Sequence, residues 1–119
     1  MEDKVLQTNV YHKNYNLDKK DNLDTLPTQP AVFGVFAIIH EKPVHCRYVG
    51  ETSNFQQAIR DLFEKPEGEG MKKFMQGPWY KMVLYELMPE ASEDDRKKAH
   101  EKWTKDYTPK IDEKGDYPK

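Results

Sequence analysis

Cysteine is almost missing: the chain has one, Cys46, in 119 residues. An internal disulfide is excluded, and the expected setting is a reducing compartment, either cytoplasmic or resembling the plastid stroma. Long apolar runs are missing too. The longest, Ala31–Ile39, falls well short of the roughly 20 residues a membrane-crossing helix needs. The opening Met1-Glu-Asp-Lys-Val lacks the basic-then-apolar order of a secretory signal, so no membrane is expected among the partners. Charge of one sign is not in excess. The 19 Lys and Arg meet 21 Asp and Glu, for a formal net charge of −2. Proteins that grip duplex nucleic acid present a basic face, but here cations and acids are interleaved throughout, so charge does not support a nucleic-acid partner. Glycine-rich phosphate loops are absent, Glu67-Gly-Glu-Gly70 being too acidic for one. His12, His40, His45 and His100 show no metal-ligand spacing.

What is present is a modest apolar fraction of 36% beside 34% charged residues, the balance of one small domain with a charged surface. Residues 1–29 read as a polar arm in which Val5–Tyr11 can add an edge strand and Asn14–Thr25 is a loop or partly disordered. Leu26-Pro-Thr-Gln-Pro30 is a stiff entry to the first core strand, about 31–39. Its apolar residues are nearly continuous, so both faces are expected to be covered. A polar bend at Glu41-Lys-Pro43 leads to a second strand, about 44–49, completing a hairpin. Alternation puts Val44, Cys46 and Tyr48 on one face and His45, Arg47 and Val49 on the other. After Gly50, Ser53 with Gln56 has the capping-box spacing, and Phe55, Ile59, Leu62 and Phe63 form one helical stripe. Met71–Met75 is a short second helix, Gly77-Pro78 a turn, and 79–88 a third strand. The last helix starts at Ser92 with Asp95 at the box position, carries Ala99, Trp103 and Tyr107 at steps of four, and stops at Pro109. The expected class is α+β (mixed α/β): a small three-stranded sheet flanked by helices, in the order strand, strand, helix, helix, strand, helix.

The hairpin, Tyr48-Val49-Gly50, then Thr52, Asn54 and Phe55 opening an amphipathic helix, resembles the GIY-YIG nuclease superfamily over residues 30–112. Residues 113–119 remain as a charged tail. The family's first motif has two placements, Ala31-Val-Phe33 and Gly34-Val-Phe36, with Pro30 favouring the first. The resemblance implies a site of two tyrosines, a helix arginine and a metal-binding glutamate acting with Mg²⁺ or Mn²⁺ on a phosphodiester. Such a metal polarises the phosphate, and the arginine's fork neutralises it. Carried across, the first tyrosine becomes Phe33 or Phe36, the second is Tyr48, the arginine position holds Ala58, and the glutamate position holds His100 with Glu101 beside it. The departures resemble the degenerate domain at the N-terminus of plant chloroplast monothiol glutaredoxins, which shares the Ala99-to-Trp103 spacing.

Bland readings stand beside these. Tyr48 is a groove residue or a half-buried strand tyrosine, with neither preferred. Cys46 reads as a small buried hydrophobe before a redox switch. His100 reads as a boundary histidine before a metal ligand, and Trp79, Tyr80 and Trp103 as core anchors before base-stacking platforms. The expected function is a degenerate GIY-YIG-like domain serving as a binding or regulatory module for an unknown protein or ligand. Its groove lies near Tyr48, with Arg47 and Arg60 as binding cations. The alternative is a metal-dependent endonuclease rebuilt around Tyr48 and either His100 or Glu101.

Overall fold

The computed structural model describes residues 5–13, 15, 18–77, 79–112 and 115–116. Pro78 of the expected turn, parts of the expected arm (1–4, 14, 16–17) and parts of the expected tail (113–114, 117–119) lie outside the described residues.

The apolar run is a strand, β2 (Ala31–Ile39), lying inside a four-stranded antiparallel sheet. Its neighbours are β3 (Lys42–Thr52) on one side and β4 (Tyr80–Leu87) on the other, and β1 (Leu6–Val10) closes the far edge beside β4. Strand alternation divides β2 between two cores. Ala31, Phe33, Val35 and Ala37 join one cluster, while Val32 and Phe36 join another with Ile38 packed against it. The first core is covered by α1 (Phe55–Glu64) and α2 (Glu69–Gln76), through Phe55, Ile59, Phe63, Met71, Phe74 and Met75. The second is covered by α3 (Glu93–Tyr107), through Trp103 with Ala99 and Tyr107. Both faces of β2 are therefore dry, which explains why its sequence does not alternate. Each large side chain buried this way contributes roughly 1.5–3 kcal/mol.

The class is α+β, and the edge strand expected within residues 5–11 is present. Several local readings change. The hairpin turn is His40-Glu41, with φ of 53° and 66°, and Lys42 and Pro43 already belong to β3. Two successive left-handed residues are the turn that matches strand twist, although neither is glycine. The α1 cap is Asn54, whose side chain accepts from Gln57 N, one residue beyond the expected Ser53. The α3 capping box at Ser92 and Asp95 is as read. Trp79 is exposed (41%) and so is not a core anchor, unlike Trp103.

The expected face assignment in β3 is overturned by a bulge. Val35 pairs with Tyr48 and Phe36 with Cys46, so Arg47 is an extra residue. An inserted residue reverses the parity beyond it. Cys46 accordingly joins the α3-side core, while Tyr48 packs against the core under α1. The carbonyls of Cys46 and Arg47 accept from Lys110 N (3.1 Å) and Ile111 N (2.7 Å), so the segment after α3 takes the place of a fifth strand at the bulge.

The supposed arm and tail also enter the fold. Val10, Leu23, Leu26 and Ile111 are core residues. Glycine 68, the α2 N-cap, has no side chain to offer, and the start of α2 is capped from a distance. Glu69 N donates to Asp116 Oδ1 and Met71 N to the Gly115 carbonyl. Among the described residues no helix is long and apolar enough to cross a membrane.

Candidate functional site

Strand β3 stays paired with β2 through Thr52, and the chain then turns through Ser53-Asn54 into α1. The turn is held by Thr52 Oγ1, which accepts from Asn54 N at 3.0 Å. This junction floors a groove made of adjoining cavities. The first, about 420 Å³, is lined by Phe33 and Tyr48 from the sheet, by Gln57, Ala58, Asp61 and Leu62 from α1, and by Lys65 and Glu67 from the segment after it. The second, about 360 Å³, shares Tyr48, Gly50 and Glu51 and adds Lys97, His100 and Glu101 from α3. A third, about 280 Å³, shares His100 with the second and is walled by Val49, Pro109 and Ile111.

Glycine at position 50 is required by close approach. A Cβ there would stand 2.7 Å from the Phe33 ring and 3.0 Å from the Tyr48 ring. Phe33 and Tyr48 are neighbours with centroids 6.3 Å apart, whereas Phe36 lies in the opposite core, edge-on to Tyr107.

The sequence-derived site residues separate into two groups. Tyr48, His100 and Glu101 line one cavity. His100 Nε2 is 3.0 Å from the Val49 carbonyl oxygen. A carbonyl only accepts, so that nitrogen carries hydrogen and is closed to a metal. Glu101 is exposed. Among the described residues no three His, Cys, Asp or Glu side chains gather to hold an ion. His100 presents an imidazole where the resemblance places a carboxylate, a poor match to Mg²⁺ or Mn²⁺, and Glu51 and Glu101 are the carboxylates that line the same cavity.

Arg47 and Arg60 do not line these cavities. The Arg47 guanidinium lies 5.8 Å from the Phe74 ring centroid, towards α2. Arg60 turns to the N-terminal segment, 2.6 Å from Asp24 and 3.5 Å from Glu64. Glu64 also meets the buried His12 at 2.9 Å, and that contact holds its carboxyl below the usual range. Arg60 thus belongs to a clamp between α1 and the N-terminal segment.

The groove's own charge is acidic. Asp61, Glu67, Glu51 and Glu101 face Lys65 and Lys97. Glu51 is neutralised by Arg96 at 2.9 Å and Lys97 by Glu93 at 3.4 Å. Among the described residues the Asp61 side chain accepts from a neutral amide, Gln57 Nε2 at 2.8 Å from Oδ1. Asp61 and Gln57 escaped the sequence reading, although residues 54, 58, 61 and 65 recur at the spacing of one helix face. Cys46 is 3% exposed and its Sγ donates to the Tyr48 carbonyl. Burial pushes the thiol up to about 11, against the weaker opposite pull of that hydrogen bond, so it is not a nucleophile.

Compared with family profiles, curated proteins and solved structures, the chain matches none.

Proposed function

We propose that this chain is a degenerate member of the GIY-YIG superfamily, working as a binding or regulatory module and not as a nuclease. The observation that carries the reading is the content of one groove. Phe33, Tyr48 and Ala58 share its first cavity, and Tyr48, His100 and Glu101 share the second. These are the positions to which the resemblance assigns the catalytic groups. Their convergence supports the kinship, and their side chains speak against the chemistry. Phe33 offers no hydroxyl and Ala58 no guanidinium, and the His100 imidazole already donates to a backbone carbonyl. Of the two placements of the first motif, Ala31-Val-Phe33 is favoured because it is the one that sets an aromatic ring beside Tyr48. The order of strands and helices after residue 30 agrees with the resemblance. The closer likeness to the glutaredoxin-linked domain rests on Ala99 and Trp103, which pack α3 onto the sheet.

Catalysis without these groups would lose the preorganised charge that stabilises a phosphoryl transition state, at a cost of several orders of magnitude. The neighbouring carboxylates would repel a phosphate backbone. The test is relaxation of supercoiled plasmid in Mg²⁺ and in Mn²⁺, with Tyr48→Phe alongside. No nicking by the native chain is expected. Nicking that disappears in Tyr48→Phe would overturn the module reading in favour of a rebuilt endonuclease.

A further inference from the structure

The groove's chemistry selects a class of partner. We propose that it receives a basic protein segment, an extended stretch in which an arginine guanidinium lies against Tyr48 between Asp61 and Glu67. This rests on the module reading and narrows it to one partner chemistry.

Three observations converge. The first is shape. Adjoining cavities of about 420, 360 and 280 Å³ run along the end of β3, sharing Tyr48 and then His100 as party walls. Each is of the size that holds a side chain or a small ligand, and a row of them suits successive side chains of one extended segment. The second is charge. In the first cavity Asp61 accepts a side-chain amide, and Asp61 with the exposed Glu67 and the Arg96-paired Glu51 outnumbers the lysine of the lining, Lys65. Glu101 repeats the arrangement in the second. The third is the aromatic wall. Phe33 and Tyr48 flank the same cavity as Asp61. A planar guanidinium stacks on such a ring and still reaches a carboxylate with its fork, which a lysine ammonium cannot do. The third cavity, with Val49, Pro109 and Ile111 on its walls, takes an aliphatic side chain of the same segment. Nucleic acid is disfavoured on the same grounds, since its phosphates would meet these carboxylates.

The probe is a short fluorescein-labelled Arg-Gly repeat peptide, with Ser-Gly and Glu-Gly repeats and a duplex DNA as comparisons. Anisotropy is read at physiological ionic strength, where diffuse attraction is screened. Binding is expected for the Arg-Gly peptide alone. Asp61→Asn combined with Glu67→Gln, and separately Tyr48→Ala, should each weaken it by about tenfold or more. Glu90→Gln with Asp94→Asn removes the same formal charge away from the groove and should leave it within about twofold. Circular dichroism shows whether each variant is folded. The carboxylate double variant changes only polar groups at the groove, so it still decides the matter if Tyr48→Ala unfolds. Absence of binding, or equal weakening by the distant pair, overturns the proposal. Binding of the duplex in place of the peptide also overturns it. Plasmid nicking tests the module reading separately: a chain that neither nicks nor binds the peptide refutes the partner class and leaves the module reading standing.

Discussion

Lys81 is the second residue of β4, a strand that the sequence marks as core, and it is 1% exposed. Among the described residues no carboxylate pairs with its ammonium. Nζ donates to the Met75 and Gly77 carbonyls at 3.0 and 3.2 Å and lies 5.5 Å from the Phe74 ring centroid. The lysine therefore closes the C-terminal end of α2, where carbonyls lack helical partners and a positive charge is favoured. Burial still dominates and pushes its pKa down to about 8. An unfolded lysine titrates near 10.4, so between about 8 and 10.4 the unfolded chain binds more protons and stability rises with pH. The gain is up to about 3 kcal/mol. Cys46 acts in the opposite sense above pH 9, its thiol staying protonated when folded. Lys81→Met isolates the lysine because Cys46 is common to both chains. From pH 7.5 to 10, urea unfolding should show wild type gaining about 2–3 kcal/mol relative to Lys81→Met. A constant difference would mean that Lys81 does not titrate within the fold.

Among the elements, the β2–β3 hairpin carries the clearest local strain. His40 and Glu41 both occupy the left-handed region, which costs an L-residue roughly 1–2 kcal/mol each. The longer β3 compensates by bending. It sets 11 residues against the nine of β2, with register breaks on both sides of Phe36. Replacing His40-Glu41 by Asn-Gly, the residues this turn prefers, should raise stability by about 1–2 kcal/mol. The replacement is distant from the groove and should leave peptide binding unchanged. A loss of stability in chemical denaturation would show that the turn residues make contacts worth more than their strain. Helix α3 shows another economy: its apolar stripe is thin, yet Trp103 is buried and its capping box is complete.

For the whole molecule the finding of most consequence is that the described residues before 30 and after 109 complete the domain. The N-terminal stretch supplies β1, the core residues Val10, Leu23 and Leu26, and His12 stacked on Phe63 with centroids 5.3 Å apart. Asn22 bridges the Asn9 carbonyl (2.7 Å) and Tyr11 N (2.9 Å) through its side-chain amide, covering part of the edge that β1 would otherwise expose. Deleting residues 1–13 would uncover β4, remove Val10 from the core and leave Glu64 without His12. A loss of more than about 3 kcal/mol is expected, read as the fall in urea midpoint. A fully stable truncated chain would return this stretch to the status of an arm.

The helices, the succession of elements along the chain after residue 30 and the two-faced burial of β2 were legible in the chain, because they follow from local periodicity and turn signals. Phe55, Ile59 and Phe63 can make only one stripe, and Ser92 with Asp95 can make only one box. Phe33, Ala58 and His100 were legible as residue types, and that Phe33 and not Phe36 stands beside Tyr48 was decided by the fold. What tertiary structure alone decided is where the bulge falls. Arg47 as an extra residue sends Cys46 and Tyr48 to opposite faces, and no alternation pattern announces an insertion. It also decided the partners of Arg60, because an arginine on a helix flank pairs with whichever carboxylate folding brings near, here Asp24 and Glu64. The acidity of the groove has the same origin. Asp61 and Glu67 are near one another in the chain but Glu101 is distant, and only the folded sheet end sets all three around one tyrosine.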